Sequence, residues 1–295
     1  PFINTLLVFL NGLLLPKSGW EDSIHALINT RNKTSSPYPA LLCYDRYGQG
    51  DSDHDPRDPE SSIKTGYGHD AVRVVKDLHQ LLKQLSATKL GQHDVSRMRF
   101  IFVCNSIGCP IARLYARAYP RTVAGLLFLD SMIANTDFVS MFPDPDDAQF
   151  DPSTLPTGIS VEQLRDTRAK YKAMFHPSVP NNERFDRRHL NQQLPHANTP
   201  KLVGPDGIGP RLTVVGHDWN EFAEQGLKGS LQIPKALTNA YVNPHWQQYN
   251  EGLLKLTEED RVNKNIIIAK CCGHFIQKDG PDFVAREIGR LLDRL

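Results

Sequence analysis

The sequence predicts an α/β protein, a mostly parallel doubly wound sheet with an inserted, largely helical cap. Three observations carry this. Short apolar runs recur along the chain, each closed by turn-forming residues, and amphipathic stretches alternate with them. The alternation stops once, near residue 133, and resumes near residue 209. A chain of 295 residues is long enough for one large core interrupted by such an insertion. The core is therefore expected over 1–132 and 209–295, and the cap over 133–208.

In chain order, Asn4 to Leu10 reads as a buried strand ended by Asn11-Gly12. Trp20 to Asn29 has apolar residues at helical spacing, and Ala40 to Tyr44 is a second short strand. Asp45 to Ser52 is a glycine-punctuated turn, in which Asp45 is expected to stabilise the turn itself. From His69 to Leu85, Val72, Val75, Leu78, Leu81, Leu82 and Leu85 share one helical face. Phe100 to Val103 is a strand that runs straight into Cys104-Asn105-Ser106-Ile107-Gly108, with a helix from Ile111 to Tyr119 behind it. Gly125 to Leu129 is again a strand, ending at Asp130-Ser131. The insertion is rich in Pro, Asp, Asn and Gln and shows one clear helix, about Val161 to Phe175. Long structureless loops are uncommon in compact domains, so a folded cap is the expectation. Its basic run, Arg184 to Arg188, reads as a solvated face. Arg211 to Val215 restores the rhythm and ends at Gly216-His217-Asp218. A helical stretch from Glu221 to Thr257, a strand from Asn265 to Ala269, the turn Gly273-His274 and a helix from Pro281 to Leu292 complete the chain.

Composition narrows the functional classes. A net charge of +1 gives no electrostatic footprint for nucleic acid or another polyanion. No apolar run has the length of a membrane span. Cys43, Cys104, Cys109, Cys271 and Cys272 are odd in number and lie mostly in or beside apolar runs, which points to free thiols in a reducing compartment such as the cytoplasm. No Cys/His spacing suits zinc, and neither a metal nor a cofactor is expected.

Parallel α/β sheets carry their sites at the carboxyl ends of the strands. There this chain places Asn11-Gly12-Leu13, Asp45, Ser106, Asp130, Asp218 and His274. A serine, then acids, then a histidine form a set able to perform acyl transfer. Ser106 is a weak nucleophile until a base takes its proton, and His274 is the candidate base. A carboxylate must fix the imidazole tautomer, and Asp130 and Asp218 are both candidates for it. The backbone N–H groups of Leu13 and Ile107 are candidate oxyanion donors.

Three motifs resemble those of the α/β-hydrolase superfamily. Asn11-Gly12-Leu13 with Gly19-Trp20 is similar to its oxyanion loop, with Asn in place of His. Asp45-Arg46-Tyr47-Gly48-Gln49-Gly50-Asp51-Ser52 is similar to its D-x-x-G-x-G-x-S turn, and Gly273-His274-Phe275 through Pro281 and Val284 to its histidine signature. At the nucleophile, Cys104 stands where the first glycine of G-x-S-x-G is usual. The resemblance implies a serine hydrolase acting on an ester, lactone or thioester of a small molecule. It also implies two further strands ahead of the oxyanion loop, and so an N-terminal truncation. Dehalogenases and epoxide hydrolases of this superfamily would want Asp at position 106. Met141, Phe142, Phe150, Tyr171, Met174 and Phe175 offer the cap an apolar lining, which suggests a hydrophobic substrate group. The competing readings are carbon–carbon or amide hydrolysis by the same residues, and a binding protein that has lost turnover.

Overall fold

A computed structural model describes residues 2–295. Six parallel strands form one sheet: β1 (Thr5–Leu10), β2 (Ala40–Cys43), β3 (Arg99–Ser106), β4 (Val123–Ser131), β5 (Arg211–His217) and β6 (Ile267–Ala269). Their order is β2-β1-β3-β4-β5-β6, so the winding reverses between β1 and β3. That reversal opens a crevice at the carboxyl ends of these two strands, where loops diverge to opposite sides.

Side-chain alternation explains why the strands pair as they do. Leu6, Val8, Phe100, Phe102, Leu126 and Phe128 point to one apolar cluster. Leu7, Phe9, Ile101, Val103, Leu127 and Leu129 point to the other. Both faces are covered, so the central strands β1, β3 and β4 carry unbroken apolar runs rather than alternating with polar residues. On the first face lie α2 (Ala71–Leu90), α3 (Gly108–Ala118) and, further along the chain, α6 (Asn243–Leu253). On the second lie α1 (Glu21–Lys33) and α7 (Pro281–Leu292), which pack against each other.

Between β4 and β5 the chain leaves the sheet. The substantial helix there is α4 (Val161–Met174), started by a full capping box in which Ser160 and Gln163 satisfy each other's backbone. Elsewhere the segment is turns and short helical pieces, rich in proline. It is tied back to the core beside α2: Gly68 N–H donates to the Arg184 carbonyl at 2.7 Å, and Asp186 N–H to the His69 carbonyl at 2.8 Å. The run Arg184–Arg188 is not the solvated face expected of it. Phe185 and Arg187 are buried, and the Arg187 guanidinium donates to the carbonyls of Phe175, His176 and Val179. A buried guanidinium needs such acceptors, and three carbonyls supply them.

The helical stretch expected from Glu221 to Thr257 is two helices. α5 (Trp219–Lys228) stops at Gly229, and Pro234 precedes the restart that leads into α6. No helix among the described residues is long and apolar enough to cross a membrane.

Candidate active site

Ser106 ends β3 in a left-handed conformation, φ 54°. A serine rarely adopts this, and it is held here because the strand must turn at once into α3. Gly108 makes the turn possible: a Cβ at that position would lie 2.3 Å from the Leu10 carbonyl oxygen. Gly108→Ala is therefore expected to lower unfolding free energy by more than about 2 kcal/mol, measured by urea titration. Cys104 is fully buried on the face of β3 that carries Phe100 and Phe102.

Asp130 occupies a bulge. Asn105 pairs with Leu129 and Ser106 with Ser131, so Asp130 is the extra residue of β4, at φ 46°. Bulges beside active sites commonly re-aim a side chain. Here the Asp130 Oδ2 accepts from His274 Nδ1 at 2.6 Å, and its Oδ1 lies 2.9 Å from His217 Nδ1. Asp130 is completely buried, which pushes its carboxyl up; the neighbouring charge of His217, then hydrogen bonds from His217 and His274, bring it down to about 2. Asp218, the other candidate acid, goes elsewhere. It caps α5 by accepting from the N–H groups of Asn220 and Glu221, and also accepts from Cys271 N–H. The N-terminal end of a helix attracts a carboxylate, and that attraction directs Asp218 to its own helix.

The histidine loop is anchored beside the serine. Asn105 Nδ2 donates to the carbonyls of Leu129 and His274, both at 2.9 Å, while its Oδ1 accepts from Gln277 Nε2 at 3.1 Å. The residue before Ser106 thus fixes the backbone of His274. Trp246 on α6 supports it from another side, with its indole N–H on the Ser131 carbonyl and its ring 5.3 Å from the His274 ring.

Gly12 lies against the serine, since a Cβ there would be 3.3 Å from Ser106 Cβ. Its carbonyl accepts from Arg46 Nη2 at 2.9 Å and Gln49 Nε2 at 2.8 Å. A trans peptide sets the C=O and the next N–H on opposite sides, so this clamp aims the Leu13 N–H away from Arg46. Ile107 is the residue immediately before α3, at the positive end of that helix. Asn11, replacing the usual histidine, accepts from Trp20 Nε1 at 2.7 Å and donates to the Tyr44 carbonyl and Gln49, joining the ends of β1 and β2. Asp45 accepts from the Lys17 backbone and ammonium groups and packs inside its turn against Gly50, as expected.

Sequence inspection missed Glu183. This residue, from the segment between β4 and β5, is fully buried and holds Arg46 at 2.7 Å and Gln49 at 3.1 Å, and it also accepts from Leu14 N–H. Glu183→Gln leaves the Arg46 charge buried without a counter-ion, so a loss of about 3–5 kcal/mol is expected, read from the urea midpoint.

Half of the apolar residues expected to line a pocket are packed into the core cluster on the first face of the sheet. Met141, Phe142 and Tyr171 are buried, with the Phe142 and Tyr171 rings 4.8 Å apart, whereas Met174 and Phe175 are exposed. Phe150 is partly buried against the core. Phe138, which was not anticipated, sets its ring 6.2 Å from Trp246 and so adjoins the histidine's aromatic support. Among the described residues, Asp55, Asp58 and His69 have ligand atoms close enough to share a metal ion. Arg57 and Arg73 already pair with Asp55, at 2.9 and 3.1 Å, which leaves the group little net negative charge to attract a cation.

Comparison with known proteins agrees with this architecture. An esterase from Thermogutta terrifontis shares 14% identity, with a TM-score of 0.52 over 98% of this chain and 89% of that one. An epoxide hydrolase from Vigna radiata shares 13%, with a TM-score of 0.54 over 98% and 92%. MenH from S. aureus shares 12%, with a TM-score of 0.51 over 99% and 94%. No curated protein matched the sequence. The sequence profile of the alpha/beta hydrolase family matches residues 7–287, nearly the whole of the strand-and-helix succession and the loops that carry Ser106, Asp130 and His274. The chain belongs to the alpha/beta hydrolase family.

Proposed function

We propose that this chain is a serine hydrolase that cleaves an ester-type bond of a small molecule through an acyl-enzyme. The observation that carries the reading is the 2.6 Å contact between His274 Nδ1 and Asp130 Oδ2, beside a serine on a strained strand–helix turn. With Nδ1 donating to the carboxylate, Nε2 is the ring nitrogen able to accept the serine proton.

Ser106 Oγ attacks the substrate carbonyl carbon as its proton passes to His274 Nε2. The carbonyl π pair moves to oxygen, and the resulting oxyanion is met by the N–H groups of Leu13 and Ile107. Collapse breaks the bond to the leaving oxygen or sulfur, which takes the proton from Nε2. Water then attacks the acyl-serine with the same proton transfers, releasing the acid and restoring Ser106. Asp130 holds the imidazole tautomer and offsets the imidazolium charge without itself taking the proton.

The fold alone is shared with an epoxide hydrolase, so it does not select the reaction. Residue 106 supports the serine reading: opening an epoxide by way of an alkyl-enzyme ester needs a carboxylate nucleophile there, and the chain has serine. A binding protein without turnover would keep the fold and not the activated hydroxyl. A fluorophosphonate probe separates these readings. Labelling is expected on the wild-type protein, at Ser106 by peptide mass spectrometry. A folded wild-type protein that resists the probe would leave the binding reading standing.

A further inference from the structure

We propose that His217 is a buried imidazolium and a positioning residue, which locks the Asp130 carboxylate and balances its charge before His274 receives a proton. Its assignment as a positioning residue rests on the hydrolase reading; its protonation rests on contacts alone. His217 ends β5 and is almost wholly buried. Its Nδ1 faces Asp130 Oδ1 at 2.9 Å and its Nε2 faces Asn243 Oδ1 at 3.0 Å.

The orientation of the Asn243 amide decides what the ring must carry. Its Nδ2 lies 3.3 Å from the Trp219 carbonyl and 2.8 Å from Asn239 Oδ1. A backbone carbonyl can only accept, so the amide nitrogen belongs on that side and the amide oxygen on the His217 side. An ionised carboxylate is likewise acceptor-only. Both ring nitrogens therefore face acceptors. A neutral imidazole has one N–H and one lone pair, and would set that lone pair against an oxygen in a buried site. The doubly protonated ring satisfies both contacts.

The surroundings suit a cation. The Phe222 ring stacks on His217 at 4.2 Å, and Trp246 meets it at 5.8 Å in an edge arrangement. The titratable groups around it are Asp130 from β4, Asp218 next in the chain, and His274 across the shared carboxylate. Burial pulls His217 down, but the Asp130 charge and hydrogen bond, then Asn243 and the Asp218 charge, outweigh it and raise the group above its ordinary value.

Two consequences follow for Asp130. With Oδ1 held, the carboxylate presents Oδ2 to His274 in one direction. With its charge balanced, it holds a proton on His274 less strongly than an isolated buried carboxylate would, which favours return of that proton to the leaving group.

Nitrogen-15 NMR of the histidine rings in the substrate-free wild-type protein tests the protonation. One histidine is expected to keep both ring nitrogens protonated over about pH 6 to 8, and its signals should vanish in His217→Asn. Asn243→Ala removes one acceptor and should make that histidine lose its second proton at lower pH. A wild-type spectrum in which His217 shows a single N–H at neutral pH overturns the proposal, whether or not the protein turns over an ester and whether or not either variant folds. The positioning role is read from kcat/KM against pH: in His217→Asn the acidic limb should move up by about one pH unit. An unmoved limb, with the imidazolium present in the wild type, removes that role.

Discussion

Alanine at position 106 is expected to reduce kcat for a p-nitrophenyl ester by about 10⁴- to 10⁶-fold, because no other side chain then supplies the attacking oxygen. What remains comes from the oxyanion donors and from holding the ester in place. The substitution keeps the left-handed turn, since Ala and Ser each carry a Cβ and meet φ 54° at a similar cost, and the fold should survive unchanged. Glycine at 106 makes a sharper comparison. It should be as inactive as alanine yet more stable, by about 1 kcal/mol, because the backbone strain at the elbow is relieved. Parallel urea titrations and ester kinetics on both variants measure this. Wild-type turnover by the alanine protein, after removal of contaminating esterases, would end the serine mechanism.

The second large effect separates the two acids. Asp130→Asn should lower kcat by about 10³- to 10⁴-fold, because the amide can no longer both orient His274 and offset an imidazolium. Asp218→Ala should leave kcat within about threefold and cost about 1 kcal/mol of stability through the lost cap of α5. Both variants are assayed on the same ester, with thermal unfolding recorded alongside. The opposite ranking would transfer the acid's role to Asp218 and require the 2.6 Å contact with His274 to be broken in solution.

The strand-end serine, the histidine after the last strand and the loop at Gly12 were legible because each is set by local rules: an apolar run, a small-residue turn, a helix restart. Which of the two acids meets His274 was not. Asp130 and Asp218 both follow apolar strands, and the one-residue bulge that aims Asp130 leaves no mark on side-chain alternation. What distinguishes them is that Asp218 has a helix immediately behind it, and its own backbone claims its carboxylate. The basic run Arg184–Arg188 misled for a related reason: charge spacing shows no sign of three carbonyls waiting around Arg187. Glu183 was invisible because its partner Arg46 lies 137 positions away, and only the assembled chain brings them together. The break between α5 and α6 was read through as one helical stretch, although Gly229 and Pro234 mark it in the sequence.

The Glu183–Arg46 pair bears on how this chain could be rebuilt. Segments inserted over an α/β core invite exchange, as if specificity were a detachable cover. Here the segment between β4 and β5 supplies the counter-ion for the arginine that grips the carbonyls of Asn11 and Gly12. A transplanted segment lacking a carboxylate at that point would strand a buried guanidinium and loosen the Gly12–Leu13 peptide, the proposed oxyanion donor. Any graft must bring its own acid to Arg46 or replace Arg46 at the same time, so the two parts of this chain are exchangeable only as a matched set.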